Sequence, residues 1–298
     1  MHPNPADQLT RLRHLLHSLK PSEWTVLGLL ALFYALGVVV AETAWSPALP
    51  LSLLVPGFYY QWRYRVTEST REPWPVLPSN TRIILGSYCL VYLLSLWFVP
   101  ILGSMVLLWL VQFTLPVILL RRLRVPLGNL GFNWRNPFRN NLDAVLVAMF
   151  LLPLLVFGAR DASLIQALAT HWYFPFLLLL SIASMALTVA LPEEFVFRGL
   201  LPASVRSDRR WILPVGLSAL IFALYHLPMR YLNGASPFHQ ELLGALGAVA
   251  REQLLLGLLL GYAVFKSHNL WHGIWLHAFI NGFSQVASLA RQLGLLEP

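Results

Sequence analysis

Apolar runs separated by short polar loops extend along almost the whole chain. Most of these runs are long enough for a helix with a rise of ~1.5 Å per residue to cross ~30 Å of hydrocarbon. The pattern therefore predicts an all-α, polytopic bundle of transmembrane helices. The predicted spans are residues 24–44, 51–60, 83–99, 101–120, 142–157, 172–191, 211–226, 242–265 and 270–289.

The number of spans depends on two details. The run 51–60 is short for a span, and Pro100 separates two apolar runs where proline favours a tight hairpin. We therefore expect eight or nine membrane helices. Residues 1–23 combine leucines and basic side chains at the spacing of an interfacial amphipathic helix. The rest of this single membrane domain divides into N-terminal helices (24–150) and a C-terminal core (151–290).

The composition supports a membrane location. Hydrophobic residues make up 57% of the chain and charged residues 11%, and the mean hydropathy is +0.63. Soluble domains carry about 25% charged residues. We therefore expect an integral membrane protein with membrane lipid as a partner. Cys89 is the only cysteine, which excludes an intramolecular disulfide and a cysteine metal cluster.

The formal net charge of +8 is concentrated in alternate loops. This distribution follows the positive-inside rule and predicts a cytoplasmic N-terminus. No basic groove with aromatic residues and no nucleic-acid motif accompanies the charge, so nucleic acid is not an expected partner. Arginine far outnumbers lysine, which indicates a GC-rich prokaryotic genome and an inner (plasma) membrane location.

Three groups of polar residues interrupt the apolar pattern of the C-terminal half. An ionised side chain inside a bilayer costs several kcal/mol, so two adjacent carboxylates at such a place indicate function. The groups are Glu193-Glu194-Phe195-Val196-Phe197-Arg198-Gly199, Phe222-Ala223-Leu224-Tyr225-His226 and His277-Ala278-Phe279-Ile280-Asn281.

Helical spacing relates the side chains within these groups. Residues four apart share a face, so Glu194 is predicted to pair with Arg198, and Asn281 to project beside His277. Glu193 points about 100° away from Glu194 and is expected to stay free. Pro192 suits the first turn of a helix, where carboxylates complement the helix dipole.

Other polar side chains near the spans are interpreted as structural. His268 and His272 flank the last span, but their spacing does not place them on one face with His277. The residues interpreted as structural at span ends or in a local ion pair are Glu42, Asp143, Arg251 and Glu252.

The ordered motifs E-E-x-x-x-R-G, F-x-x-x-H and H-x-x-x-N resemble the signature of the CPBP family. This family comprises CAAX proteases and bacteriocin-processing enzymes, and it includes the type II CAAX prenyl endopeptidase. The resemblance covers roughly residues 153–289, and every signature position is filled. It implies an intramembrane endopeptidase whose conical or cavity-forming catalytic core opens to the cytoplasmic side.

The resemblance also implies a role for each motif residue. Peptide hydrolysis needs an activated water, a group that polarises the carbonyl and a proton donor for the leaving amine. Glu193 with His226 would bind and deprotonate the water, while His277 and Asn281 would stabilise the oxyanion. The supporting residues would be Glu194 and Arg198. The substrate would be a peptide or protein, either a prenylated CAAX type or a leader or bacteriocin type.

Zinc is the candidate cofactor, because members of the family are commonly described as metalloproteases. If a metal is present, Glu193, His226 and His277 would hold it. The H-E-x-x-H motif is absent and the two histidines come from different helices, so we favour a glutamate-activated water without an obligatory metal. The alternative function is a non-proteolytic scaffold, immunity protein or transporter. A transporter predicts paired inverted repeats, and the sequence shows none.

Overall fold

The computed structural model describes residues 19–40, 48–64, 74–95, 109–133, 141–149, 172–206, 210–234, 236 and 238–294. Every regular element within these ranges is helical, so the prediction of an all-α fold is confirmed there. The predicted Pro100 hairpin and Glu42 lie outside the described residues, as does most of the predicted interfacial helix of residues 1–23. The division at residues 24–150 and 151–290 stays a prediction.

Nine helices, numbered in chain order, form the described part of the chain. A π-helical segment, Leu110–Thr114, precedes α4, and a 3-10 turn, Leu127–Leu130, follows it. The helices are α1 (Pro21–Val40), α2 (Ala48–Tyr64), α3 (Ser79–Ser95), α4 (Leu115–Arg122), α5 (141–149), α6 (Phe174–Val205), α7 (Ile212–Leu232), α8 (Leu242–Ser267) and α9 (Leu270–Gln292).

Three of the described helices, α6, α7 and α8, are long and apolar enough to cross a membrane. They correspond to the predicted spans 172–191, 211–226 and 242–265, and they support an integral membrane protein. The predicted total of eight or nine spans is not confirmed. Four of the other predicted spans extend into ranges outside the description. Spans 51–60 and 270–289 are described and lie within α2 and α9, which are not among these three helices.

Pro192 does not begin a helix, contrary to the prediction from its position. It lies inside α6, which is continuous over 32 residues, and Ala190 keeps helical dihedrals of φ −67° and ψ −43°. Proline normally breaks an interior helix because it lacks an N–H and its ring meets the carbonyl four residues earlier. A π segment, Ala186–Ala190, ends two residues before this proline, and its wider turn accommodates the ring. The glutamate pair therefore lies within a helix rather than at its start.

The same arrangement recurs at two other prolines. Pro116 follows the π segment Leu110–Thr114, and Pro202 follows a second π segment of α6, Phe195–Leu200. Glu193 and Glu194 lie between the two π segments of α6. π segments are frequent at functional sites because they change the direction in which side chains project.

Small residues allow the helices that carry the polar motifs to pack closely. A Cβ at Gly282 of α9 would lie 2.8 Å from Ile182 Cα of α6, and Ser181 Oγ donates to the Gly282 carbonyl at 2.9 Å. A Cβ at Gly257 of α8 would lie 3.0 Å from Ala219 Cα of α7. Close backbone approach of this kind is typical of helix packing in membranes. It places α9 against α6 and α8 against α7.

Several loops meet at one end of this bundle. The Trp74 ring lies 4.8 Å from the His268 ring, and the Arg206 guanidinium lies 4.6 Å from the Trp74 ring centroid. The Leu270 amide donates to the Gly131 carbonyl at 2.8 Å. We call this the Trp74 end. The C-terminus of α6 and the N-terminus of α9 therefore lie together.

Candidate active site

Glu194 and Arg198 of α6 form a buried ion pair. Glu194 is 0% exposed and Arg198 is 2% exposed, and Arg198 Nη1 lies 2.9 Å from Glu194 Oε1. The two groups are close enough to attract, although they are not aligned as a hydrogen bond. The guanidinium also lies 4.1 Å from the Phe222 ring centroid. One carboxylate and one aromatic face thus compensate the buried cation.

His277 of α9 lies between the two glutamates. Its Nδ1 donates to Glu194 Oε1 at 2.8 Å, and its Nε2 lies 3.8 Å from Glu193 Oε2. A carboxylate only accepts, so Nδ1 carries a proton and Nε2 is the atom that faces Glu193. Gly273 provides the space for this contact, since a Cβ there would lie 2.5 Å from Glu194 Oε2.

Glu193 is anchored by one oxygen, whereas the sequence suggested that it stays free. Its Oε1 accepts a hydrogen bond from the Tyr225 hydroxyl at 3.2 Å. Its Oε2 is buried and has no hydrogen-bond partner within the described ranges. The prediction was wrong because Tyr225 belongs to α7, and helical spacing within α6 gives no information on contacts from another helix. One oxygen is therefore fixed, and the other faces His277.

His226 and Asn281 do not join this cluster by direct contact. His226 Nδ1 donates to the Phe222 carbonyl at 2.9 Å, so Nε2 of the neutral ring is an acceptor. Its ring packs edge-on against Tyr225 at 4.8 Å. Asn281 is half-buried, one turn after His277 on α9. Among the residues that the structure describes, neither side chain makes a hydrogen bond with Glu193.

Two further residues of the site were missed by the sequence reasoning. Gln112 Nε2 donates to the Tyr225 hydroxyl at 3.0 Å and also to the Tyr92 hydroxyl. Gln112 is an amide within the apolar run 101–120, and Tyr225 directly precedes His226. Those positions are the only sequence signals that could have pointed to them, and neither identifies its partner.

The possible zinc site of Glu193, His226 and His277 is not formed in the structure. Within the described part of the chain, no three His, Cys, Asp or Glu side chains are arranged to hold a metal ion. The set of Glu193, His226 and His277 therefore does not fit a metal in this arrangement, and we derive no step through one.

The side chains interpreted as structural contact other groups. Asp143 accepts hydrogen bonds from Tyr59 at 2.8 Å and Tyr64 at 2.7 Å, which join α5 to α2. His272 Nδ1 lies 3.2 Å from the Tyr60 hydroxyl. The pair Arg251–Glu252 is present at 3.1 Å, and Glu252 also binds Arg230 at 2.9 Å.

Comparison with protein families finds one match. Residues 174–283 match the family described as type II CAAX prenyl endopeptidase Rce1-like. The matched range contains all three polar motifs, from Glu193 to Asn281. Neither the comparison with curated proteins nor that with solved structures gives a significant match.

Proposed function

Because the chain carries an Rce1-like domain, and with it the signature of the CPBP intramembrane proteases, we propose that it is an endopeptidase acting near the membrane surface through a glutamate-activated water. The observation that carries this proposal is the geometry of Glu193. Its Oε2 is buried without a hydrogen-bond partner among the described residues and faces His277 Nε2. A carboxylate oxygen held in this way can accept a proton from a water molecule.

The charge balance of the buried group supports the role of Glu193 as base and that of His277 as hydrogen-bond donor. With Glu193, Glu194 and Arg198 ionised, the buried group carries one excess negative charge. A second proton on His277, at Nε2, makes the whole group neutral. Burial disfavours a net charge, so one proton belongs to the Glu193–His277 pair. When it resides on His277, Glu193 is the free base and His277 Nε2 is a donor.

The proposed reaction uses this state. A water hydrogen-bonded to Glu193 Oε2 and His226 Nε2 attacks the scissile carbonyl, and its proton passes to Glu193. His277 Nε2 and the Asn281 amide donate hydrogen bonds to the oxyanion. Glu193 then returns the proton to the amine nitrogen as the C–N bond breaks. Glu194 and Arg198 support the site by holding His277 and balancing its charge.

The substrate class follows from the family match. A peptide or protein substrate is expected for a protease of this family. We propose a prenylated CAAX-type C-terminus as the first substrate to test, with leader or bacteriocin-type peptides as the alternative. The site would be reached through a cavity that opens to the cytoplasmic side of a prokaryotic inner membrane.

The decisive experiment compares two glutamate variants of the purified protein with a farnesylated C-A-A-X peptide. Glu193→Gln keeps the shape of the side chain but cannot accept the proton, so turnover should be abolished while folding is retained. Glu252→Gln is the matched control, since Glu252 lies in a half-exposed ion pair on α8. Glu193→Gln with more than a few per cent of wild-type turnover would remove Glu193 from the role of base.

A second comparison identifies the substrate if the farnesylated peptide is not cleaved. Peptides from cells with the wild-type protein are compared with those from cells with Glu193→Ala. Cleavage products found only with the wild type would name the substrate. Identical peptide sets would favour the non-proteolytic scaffold, immunity protein or transporter.

A further inference from the structure

A buried hydrogen-bond chain connects the N-terminal half of the protein to Glu193. Gln112, on the π segment before α4, is 3% exposed. Its Nε2 donates to the Tyr225 hydroxyl at 3.0 Å, and Tyr225 donates to Glu193 Oε1 at 3.2 Å. Tyr92 of α3 accepts the second hydrogen bond of the Gln112 amide. The chain begins outside the range that matches the Rce1-like family.

The direction of this chain follows from the chemistry of its members. An amide NH₂ group donates two hydrogen bonds, and each tyrosine hydroxyl has a single proton to donate. Because Tyr225 accepts from Gln112, its own proton is available for Glu193, whose ionised carboxylate is a stronger acceptor than the neighbouring Tyr92 hydroxyl. The reversed amide would turn its oxygen towards the tyrosines and draw the Tyr225 proton away. Glu193 Oε1 would then be buried without a donor, which disfavours that arrangement.

We propose that Gln112 and Tyr225 are positioning residues for Glu193, an inference that rests on the proposed role of Glu193 as the base. The Tyr225 hydrogen bond fixes Oε1 and stabilises the ionised carboxylate. It leaves Oε2 turned towards His277 Nε2, at 3.8 Å. Gln112 acts through Tyr225, because its amide holds the hydroxyl oxygen and so directs the hydroxyl proton.

Ring packing holds Tyr225 in this orientation. Its ring lies 5.0 Å from the Phe197 ring of α6 and 6.1 Å from the Tyr92 ring of α3. Phenylalanine at position 225 can keep these contacts and lose only the hydroxyl. Tyr225→Phe therefore tests the hydrogen bond with little change in packing.

The main test is the activity of Tyr225→Phe as a function of pH, measured with a substrate that the wild type cleaves. The kcat should fall about 10- to 100-fold, the size expected for a lost hydrogen bond to a charged group. The KM should change little, since Tyr225 is not placed against the substrate. The acidic limb of the kcat profile should move to higher pH, because the ionised form of Glu193 loses a donor.

Tyr88→Phe is the matched control. The Tyr88 hydroxyl donates to the carbonyl of Val111, which adjoins Gln112 in the same π segment. This variant removes a hydroxyl from the same region without touching the chain to Glu193. It should keep the wild-type kcat and pH profile. A kcat for Tyr225→Phe within twofold of wild type, with an unshifted profile, would overturn the proposal.

Gln112→Met provides a second, independent variant. It should lower kcat severalfold and shift the acidic limb in the same direction. Because Gln112 acts through Tyr225, the double variant Tyr225→Phe/Gln112→Met should lose no more activity than Tyr225→Phe alone. Losses that multiply would indicate two separate structural defects and contradict the proposal. If Tyr225→Phe does not fold, the pH profile of Gln112→Met decides.

Glu193→Gln in the same assay separates this inference from the proposed function. An active Glu193→Gln refutes the proposed function and the positioning role with it. An inactive Glu193→Gln together with a fully active Tyr225→Phe refutes only the positioning role.

Discussion

Arg198 is a buried cation whose one carboxylate partner among the described residues is Glu194. Removing one member of a buried ion pair leaves an uncompensated charge and can cost ~3–5 kcal/mol. We expect Arg198→Ala to lower the melting temperature in detergent and to abolish activity. The double variant with Glu194→Gln should recover part of the stability, because it also removes the carboxylate that lost its cation.

Arg230→Ala serves as the control for Arg198→Ala. Arg230 forms a half-exposed pair with Glu252, and exposed pairs contribute about 0–1 kcal/mol. Its melting temperature should stay near that of the wild type. If the melting temperature of Arg198→Ala also equals that of the wild type, the buried pair does not stabilise the fold. A contact of Arg198 with the substrate carboxylate would then better explain the role of this residue.

Asn281 is the proposed neutral donor to the oxyanion. Loss of one such donor typically lowers kcat by about 10²- to 10³-fold, and we expect this from Asn281→Ala. Ser284→Ala, less than one turn further along α9, removes an exposed hydroxyl that donates to the Ile280 carbonyl of the same helix. It should leave kcat unchanged. An unaltered rate in Asn281→Ala would end the oxyanion assignment for this residue.

Chelation tests whether a metal activates the water. Among the described residues, the side chains of Glu193, His226 and His277 are not arranged to hold a metal ion, and Asn281 is a better carbonyl donor than zinc ligand. We therefore expect the purified enzyme to keep its activity after exhaustive chelation. Elemental analysis of active enzyme should give much less than one metal per chain. A ratio near one, with activity lost on removal and restored on addition, would establish a metalloprotease.

At the scale of the helices, Gly273 controls how closely α9 approaches the glutamates of α6. A Cβ at this position would lie 2.5 Å from Glu194 Oε2 and 2.8 Å from Val264 Cγ2. We expect Gly273→Ala to displace the Glu194 carboxylate and lower both stability and kcat. Gly28→Ala in α1 is the control, since its Cβ would meet nothing within 4 Å. It should be neutral or stabilise by about 0.5–1 kcal/mol. Equal behaviour of the two variants would show that the contact is unimportant.

One feature of α6 was predicted from the sequence, and another was not. The spacing of Glu194 and Arg198 predicted their contact, because it depends on local helical geometry alone. Pro192 was expected to begin a helix, and instead α6 passes through it beside a π segment. Such a segment is stabilised by packing with neighbouring helices, which a local pattern does not contain.

The contacts of Glu193 were beyond prediction for a related reason. Tyr225 and His277 reach it from α7 and α9, which are distant in sequence. The ordered motifs indicated that their residues share a site. They did not indicate that His277 lies between the glutamates while His226 bonds to its own helix. Gln112 comes from outside the motifs, and its place in the site depends on the packing of the π segment Leu110–Thr114 against α6.

At the scale of the whole molecule, the loops that meet at the Trp74 end are loops that the order of the predicted spans places on the same side of the membrane. Residues 74–78, Gly131, Arg206 and His268 meet there. Arg210 also binds Glu23 at the start of α1, at 2.7 Å. Adjacent loops of a membrane bundle should alternate between sides, and these loops are separated by an even number of predicted spans. From the positive-inside rule we therefore predict that the Trp74 end is the cytoplasmic one.

Cysteine labelling tests this orientation. Cys89 is the only cysteine and is buried, so Cys89→Ala gives a background without reactive thiols. Gly128 is exposed in the turn beside the Trp74 end, and His239 is exposed after α7, whose length of about 31 Å separates it from that end. In spheroplasts, a membrane-impermeant maleimide should label His239→Cys directly and Gly128→Cys only after permeabilisation. The reverse order would place the N-terminus outside, and labelling of the two without permeabilisation would contradict a bundle that spans the membrane between them.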